Sequence, residues 1–177
     1  MYQIMSQGSL PSRTEYRVKN CLKIRLGSDA DLFRVSELFT DSVRELCKYD
    51  YEQKTIDLWV ASKTVDSRLQ FINNDSLWVA ELGGEIAGYL ISIPGEILAL
   101  FVGSSYTGKG IGLALGKWGI EIAKGDGLRD VKLESTITAV DFYKKLGFRE
   151  TTRGYYSHDN SDLKLPIVNM VLLSQNT

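Results

Sequence analysis

Glu96-Ile97-Leu98-Ala99-Leu100-Phe101-Val102, followed five residues later by Gly108-Lys109-Gly110-Ile111-Gly112 and a run to Lys124, is the stretch whose reading decides the fold. Ile97 to Val102 is an unbroken apolar run, which predicts a strand buried on both faces. Ile111, Leu115, Trp118 and Ile122 then recur at helical spacing, with Lys117, Glu121 and Lys124 opposite, which predicts an amphipathic helix with one face in the core. Its first turn carries glycine in place of bulky side chains. The first backbone N–H groups of a helix have no partner inside it, and the macrodipole adds partial positive charge, so this terminus is built to receive an anion close to the main chain.

The spacing excludes two familiar phosphate loops. G-x-G-x-x-G would need glycine at Leu113 if it began at Gly108, or at Leu115 if it began at Gly110. A Walker-type loop needs Gly-Lys followed by Ser or Thr, but Lys109 precedes Gly110 and Lys117 precedes Trp118.

Around this unit the chain reads as one domain. Its 177 residues are enough for one substantial core and short for two. Lys plus Arg number 21 against 22 for Asp plus Glu, so no bulk charge points to nucleic acid or to a membrane surface. No apolar run approaches the ~20 residues of a membrane-spanning helix. Residues 1–20 lack the apolar centre of a signal peptide and are expected to form a loosely held arm, with the domain over 21–177. Cys21 and Cys47 fall in different elements without a C-x-x-C pattern, which suggests reduced thiols in a cytoplasmic setting, and no metal cluster is expected.

Leu22, Ile24 and Leu26 alternate with Lys23 and Arg25, giving a first strand. Ser28 with Asp31 makes an acidic variant of a capping box, ahead of a helix with Leu32, Val35, Leu38, Phe39, Val43 and Leu46 on its apolar face. Lys48 to Glu52 reads as a polar, aromatic connection. A second helical region uses Ile56, Trp59 and Val60, then Val65, Leu69 and Ile72 after a break near Ser62. Gly83-Gly84 joins two β-rich runs as a hairpin, Leu77 to Leu82 and Glu85 to Ile93. Pro94-Gly95 turns into the strand beginning at Glu96. Beyond the glycine turn and its helix, Val131 to Leu133 forms a strand, Thr138 caps a helix with Asp141 in its first turn, and Gly147 ends it. Strands over Phe148 to Tyr155 and Leu165 to Leu173 close the chain. The order β-α-α-β-β-β-α-β-α-β-β predicts an α/β fold with a mixed (α+β) sheet and helices on both faces.

Two motifs carry a resemblance. Residues 100 to 115 read L-F-V-x-x-x-Y-x-G-K-G-I-G-x-A-L, and residues 142 to 148 read F-Y-K-K-L-G-F. Together, with a strand between them, they resemble the GCN5-related N-acetyltransferases (GNAT), and the element order extends the likeness over roughly residues 22 to 173. In that family the loop is Q/R-x-x-G-x-G/A, which puts Thr107, Gly110 and Gly112 at the motif positions. Thr107 departs from the usual Gln or Arg.

The resemblance implies the GNAT acyl-CoA N-acyltransferase fold, acetyl-CoA as co-substrate and direct attack by a primary amine, of a small molecule or a peptide, in a ternary complex. It assigns the backbone of Leu100, Phe101 and Val102 to the pantetheine, Val102 N–H to the oxyanion, Thr107, Gly108, Lys109, Gly110, Ile111 and Gly112 to the pyrophosphate, and Ser135 to a further pantetheine contact. Tyr143 becomes the general acid for the departing thiolate. Glu96, six positions before Val102, is where histone-acetylating members keep a general base, and the residues alone allow a solvated turn position equally. Tyr49, Asp50, Tyr51 and Glu52 belong to a connection expected to wall the acceptor side, and Tyr143 and Ala139 with Leu146 also fit a plain core stripe. Nothing resembles a G-x-S-x-G elbow or a Cys-His pair, and the single histidine, His158, falls in a predicted surface loop. A non-catalytic acyl-CoA-binding or protein-interaction domain is the competing reading. A homodimer through the last strands is what the family suggests.

Overall fold

The computed structural model describes residues 15–18, 22–125, 130–157 and 163–174. The expectations for Cys21, His158 and the rest of the arm fall outside these residues.

Eight strands form one mixed sheet in the order β1-β2-β3-β4-β5-β6-β8-β7. They are β1 (Glu15–Val18), β2 (Leu22–Leu26), β3 (Leu77–Leu82), β4 (Glu85–Ile93), β5 (Glu96–Val102), β6 (Val131–Thr136), β7 (Arg149–Ser157) and β8 (Lys164–Leu172). The helices are α1 (Leu32–Leu46), α2 (Gln53–Ala61), α3 (Leu69–Asn73), α4 (Ile111–Lys124) and α5 (Val140–Lys145). All seven strands and every helical region read from the sequence are present, with α2 ending at Ala61 and α3 shortened to five residues. The additional strand is β1, which takes four residues of the expected arm and pairs them antiparallel with β2.

Two apolar layers sandwich the sheet. On one face α4 and α5 cover Leu90, Ile97, Leu133, Phe148 and Met170. On the other, α1 and α2 lay Val35, Phe39, Val43, Ile56 and Trp59 over Val79, Tyr89, Ile91 and Phe101. Arg68 is buried in this second layer, its guanidinium 5.0 Å from the Phe39 ring centroid and donating to Thr64 O at 3.1 Å.

Local chemistry explains the elements. Gly83 and Gly84 have φ of 63° and 89°, the positive values that a two-residue primed turn requires, and they join β3 to β4 as expected. Asp31 accepts from Ser28 N–H and Oγ, each at 2.8 Å, which is the anticipated box. Its carboxylate also takes both terminal nitrogens of Arg25, whose Nε donates to Glu81 at 2.6 Å, so the start of α1 is tied to β2 and β3.

Two expectations are corrected. The cap ahead of α5 is Thr136, whose Oγ1 accepts from Ala139 N–H at 3.2 Å, and not Thr138. A 3-10 turn over Ile137–Ala139 precedes α5 and moves the start of the helical segment two residues earlier. The buried face of α4 is centred on Ile111, Leu115, Gly116, Gly119, Ile120 and Ala123, with Trp118 and Ile122 half-buried at its margins. A Cβ on Gly116 would lie 2.6 Å from Leu146 and one on Gly119 would lie 2.9 Å from Leu90, so the glycines let α4 lie flush on α5 and β4.

Candidate active site between the parted central strands

β5 lies in the middle of the sheet, yet its residues from Leu98 to Val102 are half-buried or exposed, Leu98 by 41 %. The pairing explains this. β5 runs parallel to β6 through only two residue pairs, Glu96 with Lys132 and Ile97 with Leu133, and then the strands part. The register with β4 shifts at the same place, from Ile91–Ala99 to Ser92–Ile97, leaving Leu98 as an extra residue on β5. Such a bulge bends the strand that carries it and sharpens its twist, turning β5 away from β6.

The opening is lined with main-chain groups. Gly103 N–H donates to Ala87 O at 2.9 Å, which makes that pair hydrogen-bonded. Antiparallel pairs alternate, so Phe101 exchanges its bonds with Tyr89, while Leu100 and Val102 turn their N–H and C=O toward the gap. Of the three residues expected at the pantetheine, Phe101 therefore turns its N–H and C=O toward Tyr89 and away from the gap. Its ring instead stacks on Tyr89 at 5.5 Å and meets Phe39 edge-on at 5.1 Å, stiffening the strand from behind. On the opposite wall, Lys132 N–H donates to Gly95 O at 2.9 Å, and two residues on Glu134 has the same backbone orientation. Ser135 does not present its hydroxyl. It is fully buried, and its Oγ donates to Thr136 O at 2.7 Å.

The gap leads to the glycine turn. Asp41 of α1 accepts from Ser104 N–H at 2.6 Å and from Ser104 Oγ at 3.0 Å, holding the chain as it leaves β5. Gly108 to Gly110 are exposed, Gly110 is the N-cap of α4 at φ 80° and ψ 0°, and no side chain caps the helix. A Cβ on either Gly108 or Gly110 would meet nothing within 4 Å. The first intrahelical bond is Ala114 N–H to Gly110 O at 3.0 Å, which leaves the amides of Ile111, Gly112 and Leu113 for a ligand. Thr107 Oγ1 donates to Ser104 O at 3.0 Å within the turn, and Lys109 Nζ lies 5.1 Å from the Tyr106 ring centroid. Val102 and Phe142 both lie close to Gly112, at 3.7 and 3.6 Å from where its Cβ would be, so strand end, helix terminus and α5 converge.

Tyr143 on α5 is 6 % exposed, between the rings of Phe142 at 5.0 Å and Phe148 at 5.7 Å. Burial alone pushes its hydroxyl well above the ordinary phenol value, so it holds its proton. It belongs to the same apolar layer as Leu100 and Val102. Glu96 lies on the opposite face of the sheet from Ile97, half-buried, beside exposed Lys132 and Glu134. Burial first and Glu134 second raise its carboxyl above the usual carboxylate range, against the opposing pull of Lys132. Among the described residues no cluster of metal-ligating side chains is present.

Sequence reasoning missed Asp41 and Glu134, since one acts across 63 positions and the other only through strand pairing. It also misread Tyr51, expected on a polar connection but 7 % exposed, with its hydroxyl engaged on both sides.

Comparison with known proteins agrees with this geometry. Residues 46–170 match the family model described as an acetyltransferase (GNAT) domain. An uncharacterised N-acetyltransferase of Methanocaldococcus jannaschii is 31 % identical over 149 residues, 76 % of this chain. The chain spans 64 % of that protein's length. A GCN5-related N-acetyltransferase from Rhodopseudomonas palustris superposes with a TM-score of 0.75 at 21 % identity, over 95 % of this chain and all of the other. The PaiA N-acetyltransferase of Thermoplasma acidophilum, solved in complex with coenzyme A, gives 0.66 at 21 % identity, over 87 % and 99 % of the two chains.

Proposed function

The chain belongs to the GNAT acetyltransferase family, and from that premise we propose that it moves the acetyl group of acetyl-CoA onto a primary amine by direct attack in a ternary complex. The observation that carries the reading is the parting of β5 from β6 at Leu98, with the Leu100 and Val102 amides turned into the gap and the open end of α4 at its mouth.

The amides of α4's first turn hold the diphosphate, and the pantetheine lies along β5 as a replacement strand. Val102 sits against Gly112, at the diphosphate end. A pantetheine arm is about as long as four extended residues, ~14 Å, so its sulfur lies past Val102, and Leu100 N–H, ~7 Å further along the strand, takes the oxyanion role expected of Val102. Glu96 and Tyr143 lie on opposite faces of the sheet. The amine, approaching from the Glu96 side, gives its proton to that carboxylate through water. Its nitrogen bonds to the thioester carbon, the carbon–sulfur bond breaks, and the thiolate takes a proton from Tyr143 on the other side. Solvent then restores the phenol and carries away the proton held by Glu96.

Release of free CoA across a panel of amino acids, polyamines, aminoglycosides and peptides tests this. We expect turnover with at least one class, and Tyr143→Phe to lower kcat at least tenfold with acetyl-CoA affinity unchanged. Absence of CoA release together with failure to bind acetyl-CoA in calorimetry refutes the assignment.

A further inference from the structure

α5 has six residues, too few to hold a helix by itself, so whatever fixes its start also fixes Tyr143. That start is gripped from the other side of the sheet. Tyr51 Oη accepts from Ile137 N–H at 2.7 Å and donates to Pro166 O at 2.8 Å, joining the end of β6 to β8 through a side chain of the α1–α2 connection. Its neighbour Asp50 accepts from Thr138 Oγ1 at 2.7 Å. The ring of Tyr51 is buried against Trp59, with centroids 6.2 Å apart, so the hydroxyl is aimed by packing. Burial pushes that phenol up to about 12, and it stays a donor to Pro166 at neutral pH.

We propose that Tyr51, assisted by Asp50, is a positioning residue. It fixes the helical segment from Ile137 to Lys145, and through it sets the Tyr143 hydroxyl for protonation of the departing thiolate. The role rests on the acetyl-transfer reading given above. The connection expected to wall the acceptor side is on this proposal wired to the acid, while the glycine turn and its anchor, Asp41 with Ser104, are separate from it.

Tyr51→Phe keeps the ring and deletes both bonds. The expected result is about a tenfold fall in kcat with KM for acetyl-CoA unchanged, and faster amide exchange at Ile137. If Tyr51 acts through Tyr143, adding Tyr51→Phe to Tyr143→Phe lowers kcat no further. Thr138→Val, at an exposed position, supplies a milder break by removing the hydroxyl that donates to Asp50 and touches Cys47, and is expected to lower kcat about threefold should Tyr51→Phe fail to fold. Unchanged kcat, unchanged exchange at Ile137, a parallel rise in KM for acetyl-CoA, or independent effects of the two tyrosines each overturn the role. If the unaltered protein acetylates no amine, the transfer reading is what fails, and exchange at Ile137 still decides whether Tyr51 holds the segment.

Discussion

Replacing Gly110 by alanine separates the conformation of the glycine turn from its use. Gly110 sits at φ 80° and ψ 0°, left-handed backbone that costs an L-residue roughly 1–2 kcal/mol. Loss of unfolded-state freedom returns about 0.4–1 kcal/mol, so the net penalty is near 1 kcal/mol, or ~2–4 °C in melting temperature for a chain of this size. The new methyl meets no protein atom within 4 Å, so the folded protein has no steric reason to lose more. On the proposed reading the diphosphate reaches the amides of Ile111 and Gly112 through this open turn, and an added methyl would stand in its way. Affinity for CoA should fall at least tenfold, which corresponds to ~1.4 kcal/mol. Gly95→Ala is the matched control, with φ 87°, equally open surroundings and a place at the other end of β5. Calorimetric titration with CoA and thermal melting of both variants give the comparison. Equal stability losses with a binding loss at Gly110 alone are expected. Equal CoA affinity in the two variants would falsify the helix terminus as the anion site.

The remaining expectations concern charge. As the proposed base Glu96 must be ionised to accept a proton, and its carboxyl is raised by burial and by Glu134, so on that reading kcat/KM should fall with decreasing pH through a value above the ordinary ~4.3 of glutamate. Glu96→Gln should lower the rate and remove that acid limb, and an unaltered limb in the variant would count against Glu96 as base. Asp31 is held below its ordinary value, first by the Arg25 guanidinium and then by Ser28, so its stabilisation is present above the unfolded value of ~3.9 and is lost as pH falls through the lower folded value. Asp31→Asn should cost ~1 kcal/mol of stability at pH 7, and the difference from the parent should shrink in melts near pH 3. A gap of the same size at both pH values would show that the charge is not what holds the start of α1.

The strand, turn and helix from Glu96 to Lys124 were legible because their signals are local: an apolar run, glycines at fixed offsets and a helical period. The same holds for the Ser28–Asp31 box and the Gly83–Gly84 hairpin. What escaped depends on register and on distant partners. Nothing in Ile97-Leu98-Ala99 announces a bulge, because a bulge is a property of two strands, yet it opens the gap and decides which of Leu100, Phe101 and Val102 faces it. Tyr51 read as surface since it sits among Lys48, Tyr49 and Asp50, and its partners lie 86 and 115 positions away. Ser135 received a pantetheine contact from the resemblance, and a strand end gives no sign that its hydroxyl turns instead to Thr136 O. Thr138 displaced Thr136 as the cap because a 3-10 turn has no strong pattern of its own.

The sheet is two panels, β1 to β5 and β6 with β8 and β7, whose strands among the described residues pair across the seam only at Glu96–Lys132 and Ile97–Leu133. A guest lying in the seam would bond to both, acting as mortar between masonry that the polypeptide leaves partly unjointed. Occupancy and cohesion are then one quantity, since any ligand preferring the joined panels raises the work of separating them by RT ln(1 + [L]/Kd). On the proposed acetyl-transfer reading, the co-substrate would complete the sheet on every cycle and loosen it again on each release.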